Sequence, residues 1–214
     1  MSKPSEPGLN LFLQILVKLE QLQIPYAIIG GFAAAMYGIT RATVDIDILV
    51  EMQSAHIDAL AQAFPLPRYY ADPEQMRRAT DLGSSFNIID SELGAKADLF
   101  PVSMDERYRP AFSNRIRRPI DIPGLPVDEV WAARPEDVIV GKLMAWEEGR
   151  SQRQAADIYE MMLFHYLGGD SNMAFDIDYV STRADAISQE SAELWSFIKT
   201  TAREASQGDA LDSP

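Results

Sequence analysis

The chain has 214 residues, with 19 Lys+Arg, 32 Asp+Glu, two His, no Cys and a formal net charge of −13. Zero Cys excludes a disulfide scaffold, a thiolate zinc site and a Cys nucleophile, and two His argue against a multi-His metal site, so a bound metal would rest on oxygen ligands, the preference of Mg²⁺, Mn²⁺ or Ca²⁺. The acidity works against non-specific nucleic-acid binding, no apolar run reaches the roughly 20 residues of a membrane span, and the opening MSKPSEPG has no secretory pattern, so a cytoplasmic protein with no membrane partner is expected.

Apolar residues from Leu9 to Leu22 recur at near-helical spacing and predict an amphipathic helix. Tyr26–Ile29 reads as a short buried strand closed by Gly30-Gly31, followed by a short Ala-rich helix over 32–37 that Gly38 stops. Val44–Val50 is a second strand, β-branched and apolar apart from Asp45 and Asp47. Helices are expected over 55–64 and 73–80, the latter capped by Asp72 with Pro73 in its first turn. Strands follow over 85–90 and 95–102, then an edge strand within 114–122, where Pro119, Pro123 and Pro126 limit pairing. From Pro135 the pattern turns helical, over about 136–148, 152–167, 176–187 and 191–205, with a disordered tail from Ser206. The expected division is an α/β unit over 1–133, a helical unit over 134–206 and a tail over 207–214.

Chemistry concentrates between Gly30 and Val50. Asp45 and Asp47 stand two apart on a strand and so share a face, while Ile46 and Ile48 anchor the other. Two neighbouring carboxylates repel each other and are costly to desolvate, and a divalent cation between them removes both costs. Gly-Gly at a strand end lets backbone N–H groups approach a ligand, and the helix that follows suits a phosphate. Together they suggest metal-dependent phosphoryl or nucleotidyl transfer. Alone, Gly-Gly is usually a turn and Asp-x-Asp usually a solvated face, but Asp is depleted within strands. Asp98, in the apolar run Lys96-Ala97-Asp98-Leu99-Phe100, is a third acid that a neighbouring strand could supply; the plainer alternative is a surface residue on an edge strand.

Gly30-Gly31, a spacer, Asp45-x-Asp47 in an apolar strand and Asp98 on a later strand resemble the nucleotidyltransferase superfamily typified by DNA polymerase beta. Within it the chain looks most like AbiEii-type nucleotidyltransferases of toxin–antitoxin systems. Arg41 and Thr43 lead into the Asp-Ile-Asp triplet, Lys96 stands two before the third acid, and the helical region runs Arg134-Pro-Glu-Asp-Val-Ile-Val-Gly-Lys142-Leu to Arg153-Gln-Ala-Ala-Asp157-Ile. The resemblance covers about Tyr26 to Leu163 and implies a mixed, twisted sheet with flanking helices, followed by a helical domain closing a cleft. It implies that Asp45 and Asp47 hold Mg²⁺ (or Mn²⁺) and an NTP, and that Asp98 helps hold a second metal and acts on the incoming hydroxyl. Gly30 and Gly31 would cradle phosphates, with Arg41, Thr43 and Lys96 also on the nucleotide. Lys142 would reach the triphosphate, and Asp157 would face the cleft with it. Lys142 could instead snorkel, and Asp157 could simply pair with Arg153 one helical turn away.

The acceptor is less legible. Arg115, Arg117, Arg118, Arg77-Arg78 and Arg150/Arg153 could form a basic patch for tRNA or other RNA, or be scattered charges on an acidic surface. Tyr69-Tyr70, Tyr108 and Trp146 could stack a base or belong to the core and rim. The expectation is NMP transfer from an NTP to a hydroxyl of RNA or protein, as the toxin partnered by a cognate antitoxin. Two alternatives stand: a non-catalytic nucleotide-binding or interaction module of the same fold, and an aminoglycoside-type small-molecule transferase whose cationic substrate would suit the net charge.

Overall fold

The computed structural model describes residues 7–41, 47–120, 127–169 and 173–208. Its contacts divide the chain into two compact units, Met1–Phe32 with Ala42–Ala133 and Ala33–Arg41 with Arg134–Pro214. The helical unit thus takes in a short segment from inside the N-terminal stretch.

The elements run α1 (Pro7–Gln21), β1 (Tyr26–Ile29), α2 (Gly30–Ala35), β2 (Asp47–Val50), α3 (Ser54–Ala63), β3 (Tyr69–Tyr70), α4 (Pro73–Leu82), β4 (Phe86–Asp90), β5 (Ala95–Pro101), α5 (Arg109–Ser113), β6 (Ile116–Pro119), β7 (Glu129–Ala132), α6 (Pro135–Gly149), α7 (Gln152–Tyr166), α8 (Ile177–Ile187) and α9 (Gln189–Gly208). The fold class is α/β (α+β), a mixed sheet with flanking helices and a helical C-terminal region, as the sequence leads one to expect. The short strands β3 and β7 and the helix α5 were not foreseen. α2 begins on Gly30 rather than at residue 32. α9 runs through Ser206 to Gly208, inside the stretch expected to be a disordered tail, because Ala202 and Ile198 bury one of its faces. Residues 42–46, which hold the first part of the expected second strand, and 209–214 lie outside the described residues.

In the first unit seven strands form one sheet in the order β3-β4-β5-β2-β1-β7-β6. β2 pairs parallel with β5 and β1 parallel with β7, while the other neighbours are antiparallel. Strand alternation sorts the side chains. Tyr26 and Ile28, Ile48 and Val50, Phe86 and Ile88, and Ala97 and Leu99 are buried on one face. Among their alternates, Ile29, Asp47, Asn87 and Asp98 are only partly buried. α1 supplies Leu11, Phe12, Ile15, Leu16 and Leu19, all fully buried at helical spacing, and packs against β5. Asp72 caps α4 by accepting the Glu74 N–H, and Gly83 closes it in the left-handed conformation, at φ 63°.

In the second unit α6 is the central helix. Val138, Ile139, Val140, Leu143 and Met144 are buried, so apolar residues surround it rather than forming one stripe. α7, α8 and α9 pack around it with Ile158, Met162, Val180, Ala184, Trp195 and Ile198. Acidic side chains tie the helices together, and of these Glu136 and Asp137 are buried. The Glu136 carboxylate accepts the Asp176 N–H, and Asp137 accepts from Tyr179 and Arg134. Glu147 accepts from both Ser188 and Ser191 at the start of α9.

Candidate active site

The first group of functional residues lies on the half-exposed face of the sheet. β2 and β5 run side by side in a parallel register that places Asp47 opposite Asp98. Opposite residues on neighbouring strands point to the same face, with backbones about 4.8 Å apart. The register needed to bring two sequence-distant acids together is therefore present. Ile29 of β1 flanks Asp47 in the same row, and Asn87 of β4 flanks Asp98. Lys96 stands two residues before Asp98 on the same face, and its ammonium lies 2.9 Å from the Asp98 carboxylate.

Gly30 closes this row. It has φ +64° at the junction of β1 and α2, and a Cβ there would lie 2.2 Å from Asp47 Oδ2. The positive φ favours glycine, and a side chain there would also displace the Asp47 carboxylate from its place in the row. Gly31 follows in the first turn of α2. That helix has six residues, so it offers local N–H groups rather than a developed macrodipole.

These residues suit a hard divalent cation. The donors are carboxylate oxygens on adjacent strands, the chemistry of Mg²⁺ or Mn²⁺, and two like charges in one row gain from a cation between them. Among the described residues no three His, Cys, Asp or Glu side chains gather at one point. Asp45 and Thr43 lie outside the described residues.

The second group is in the helical unit. Asp157 of α7 is 1% exposed and Lys142 of α6 is 5% exposed. The Lys142 ammonium donates to Asp157 Oδ2 at 2.5 Å. Arg41 donates through Nε to Oδ1 at 2.7 Å and through Nη2 to Oδ2 at 2.5 Å, gripping the carboxylate with two bonds. Burial alone would raise the Asp157 carboxyl, but the hydrogen bonds from Arg41 and Lys142 outweigh it and hold it below the usual carboxylate range. Burial pulls Lys142 below the ordinary ammonium value against the opposing effect of Asp157, while the Arg41 and Arg153 charges act with burial. The expected alternative for Asp157, a pair with Arg153, is not formed: the partner comes from a segment 116 residues away in the chain.

The arginines named for an RNA patch are mostly engaged with neighbours. Arg77 bonds Asp58 and Glu74, Arg117 pairs with Glu20 and lies over Trp131, and Arg150 pairs with Glu147 and covers Trp146. Arg115 lies over Phe112 and Trp131, and Tyr69 packs edge-on against Phe64. Among the described residues no helix is long and apolar enough to cross a membrane.

Asn87 was missed by sequence reasoning. Its signal is the one that singled out Asp98: a polar residue alternating with Phe86 and Ile88 inside an apolar strand.

No protein-family model matches the chain, and no curated protein matches it by sequence. Solved structures of similar shape include JHP933 from Helicobacter pylori, with TM-score 0.49, 16% identity and 97% of each chain covered. Another is an antigenic nucleotidyltransferase-like protein from Paracoccidioides brasiliensis, with TM-score 0.46 and 18% identity, covering 74% of this chain and 77% of that one. At these values no chemistry is carried over, and the functional reading rests on this chain's own residues.

Proposed function

We propose that the protein is a metal-dependent nucleotidyltransferase that moves an NMP from an NTP to a hydroxyl acceptor. The observation that carries this reading is the placement of Asp47 opposite Asp98 on adjacent parallel strands, with Gly30 against the Asp47 carboxylate. Carboxylates side by side on a half-exposed sheet face are a poor choice for stability and a good one for holding a cation.

In this reading Asp47 and Asp98, with Asp45, hold Mg²⁺ or Mn²⁺, which supplies charge neutralisation at the phosphates. Gly30 and Gly31 bring backbone N–H groups to the triphosphate, and Lys96 adds a cation beside Asp98. The acceptor oxygen donates a lone pair to the α-phosphorus. The bond from that phosphorus to the oxygen bridging to the β-phosphate breaks, and its electron pair leaves with pyrophosphate. The hydroxyl proton passes to Asp98. Arg41, Lys142 and Asp157 form a cluster of two cations and one anion, in which Lys142 and Asp157 are buried and Arg41 is partly exposed. Asp157 is the residue that holds both cationic heads in place within the helical unit. An RNA or protein acceptor, and a toxin role with a cognate antitoxin, are part of the proposal.

A thermal-shift titration tests the reading. Each NTP with Mg²⁺ or Mn²⁺ is expected to raise the melting midpoint of wild type, and neither NTP nor metal alone should match the pair. With ligand at 100 times Kd the shift corresponds to about 2.7 kcal/mol. Asp47→Asn is expected to abolish it. A wild type indifferent to every NTP–metal pair contradicts the proposal.

A further inference from the structure

The outer flank of the sheet carries a cleft that the chemistry above leaves unused. It opens about 450 Å³ beside α3, β3 and the start of α4, lined by Phe64, Leu66 and Tyr70 together with Gln62, Asp58 and Asp72. Leu66 is 76% exposed and Tyr70 43%, so an aliphatic and an aromatic side chain stand in water at one mouth. Large apolar groups exposed together mark a binding surface. The charge of the cleft is of one sign, since Asp58 and Asp72 are the ionised groups among its lining residues. Arg77 is already bonded to both Asp58 and Glu74, so three carboxylates stand against one guanidinium around this mouth. An open aromatic ring beside carboxylates is a seat for an ammonium or guanidinium group.

The strand register ties this cleft to the row of acids. Tyr70 stands opposite Ile89, and Ile89 opposite Lys96. Lys96 is two residues before Asp98 on the same strand, so Tyr70 belongs to the face that carries Asp98 and Asp47. Two strand spacings of about 4.8 Å and two residues of about 3.4 Å put the Tyr70 backbone about 12 Å from that of Asp98. An extended peptide covers this in about four residues. A second cleft, of about 350 Å³, adjoins Tyr70 and Asp72 and is lined by Gln75, Arg78 and Ser85, whose donors suit the carbonyl oxygens of a peptide. Resting on the proposed function, we infer that the acceptor is a protein hydroxyl: a Ser, Thr or Tyr with a Lys or Arg within about four residues of it, whose cationic side chain seats against Tyr70 and Asp72. The side-chain oxygen attacks the α-phosphorus, its proton passes to Asp98 and pyrophosphate leaves with the electron pair of the broken bond, as in the transfer above. The cation is bound and not consumed. The acidic mouth and the net charge of −13 favour such a segment over a polyanion.

Short fluorescent peptides test this, each with a single Ser, Thr or Tyr and a Lys about three residues away, beside counterparts carrying Gln in place of the Lys. Binding is read by anisotropy, and transfer with α-labelled NTP and Mn²⁺, with a short RNA as the rival acceptor. Wild type is expected to bind Lys peptides about tenfold more tightly than Gln peptides at low salt, and less selectively as salt is raised. At least one Lys peptide should take label in preference to the RNA. Asp72→Asn removes the charge but keeps the cap of α4, because Asn caps about as well as Asp. Tyr70→Leu keeps an apolar wall and removes the ring. Each variant should melt near wild type, keep the NTP–metal thermal shift and bring the Lys preference down to about threefold or less. The inference is overturned by equal binding of Lys and Gln peptides, by a preference untouched in either folded variant, by Lys peptides that bind without taking label, or by label in RNA rather than peptide. Each of these outcomes leaves the NTP–metal thermal shift of wild type, and with it the nucleotidyltransferase proposal, standing. A wild type that responds to no NTP–metal pair overturns that proposal and this inference together.

Discussion

Asp157 is the residue on which the helical unit's polar interior turns. It takes three hydrogen bonds from two cations while almost wholly buried. Removing it leaves the Lys142 ammonium buried without a counter-charge, so Asp157→Ala is expected to cost about 3–5 kcal/mol in a urea titration at pH 7. The pH dependence follows from the direction of the shift. The Asp157 carboxyl is held below its unfolded value, so its stabilisation is complete above that value, roughly pH 4, and fades as pH falls through the folded one. The stability gap between wild type and Asp157→Ala should therefore be constant from neutral to mildly acidic pH and shrink below about pH 4. A gap that widens on acidification would contradict this assignment of charges.

At the scale of elements, the junction of β1 and α2 decides whether a site exists. Gly30→Ala must hold φ +64° and place a methyl on the Asp47 carboxylate. The expected result is a loss of at least about 1 kcal/mol from backbone strain, together with loss of the NTP–metal thermal shift. Retention of both would mean that Gly30 is only a turn. This junction was legible in the sequence, because Gly-Gly punctuates an apolar run. The acids Asp47 and Asp98 were legible too, as polar interruptions of β-branched strands. Their adjacency was not, since strand order is set by non-local pairing that no local pattern records. β3 and β7 are two and four residues long, too short for a periodicity to show. β7 holds its place through parallel pairing with β1 and through the Trp131 N–H donating to the Tyr26 hydroxyl. Asn87 was overlooked because an uncharged amide in a strand raises less suspicion than a carboxylate.

For the molecule as a whole, the net charge of −13 and the pairing of Arg77, Arg117 and Arg150 with acids leave little long-range attraction for a polyanion. Under the proposed function, an acceptor would be chosen by close contacts around the sheet face rather than by bulk electrostatics. The sheet unit holds Asp47, Asp98 and Gly30, and the helical unit holds the Arg41–Asp157–Lys142 cluster. The central claim is that Asp47 and Asp98 together hold a metal for nucleotidyl transfer. Transfer of α-labelled phosphate from each NTP to total cellular RNA and protein, by wild type and by Asp98→Asn, tests it most directly. The account predicts label that requires Mg²⁺ or Mn²⁺, disappears with a chelator, and is absent from an Asp98→Asn protein that melts no lower than wild type. Label that persists in Asp98→Asn, or a wild type that neither transfers label nor binds any NTP with metal, would contradict it.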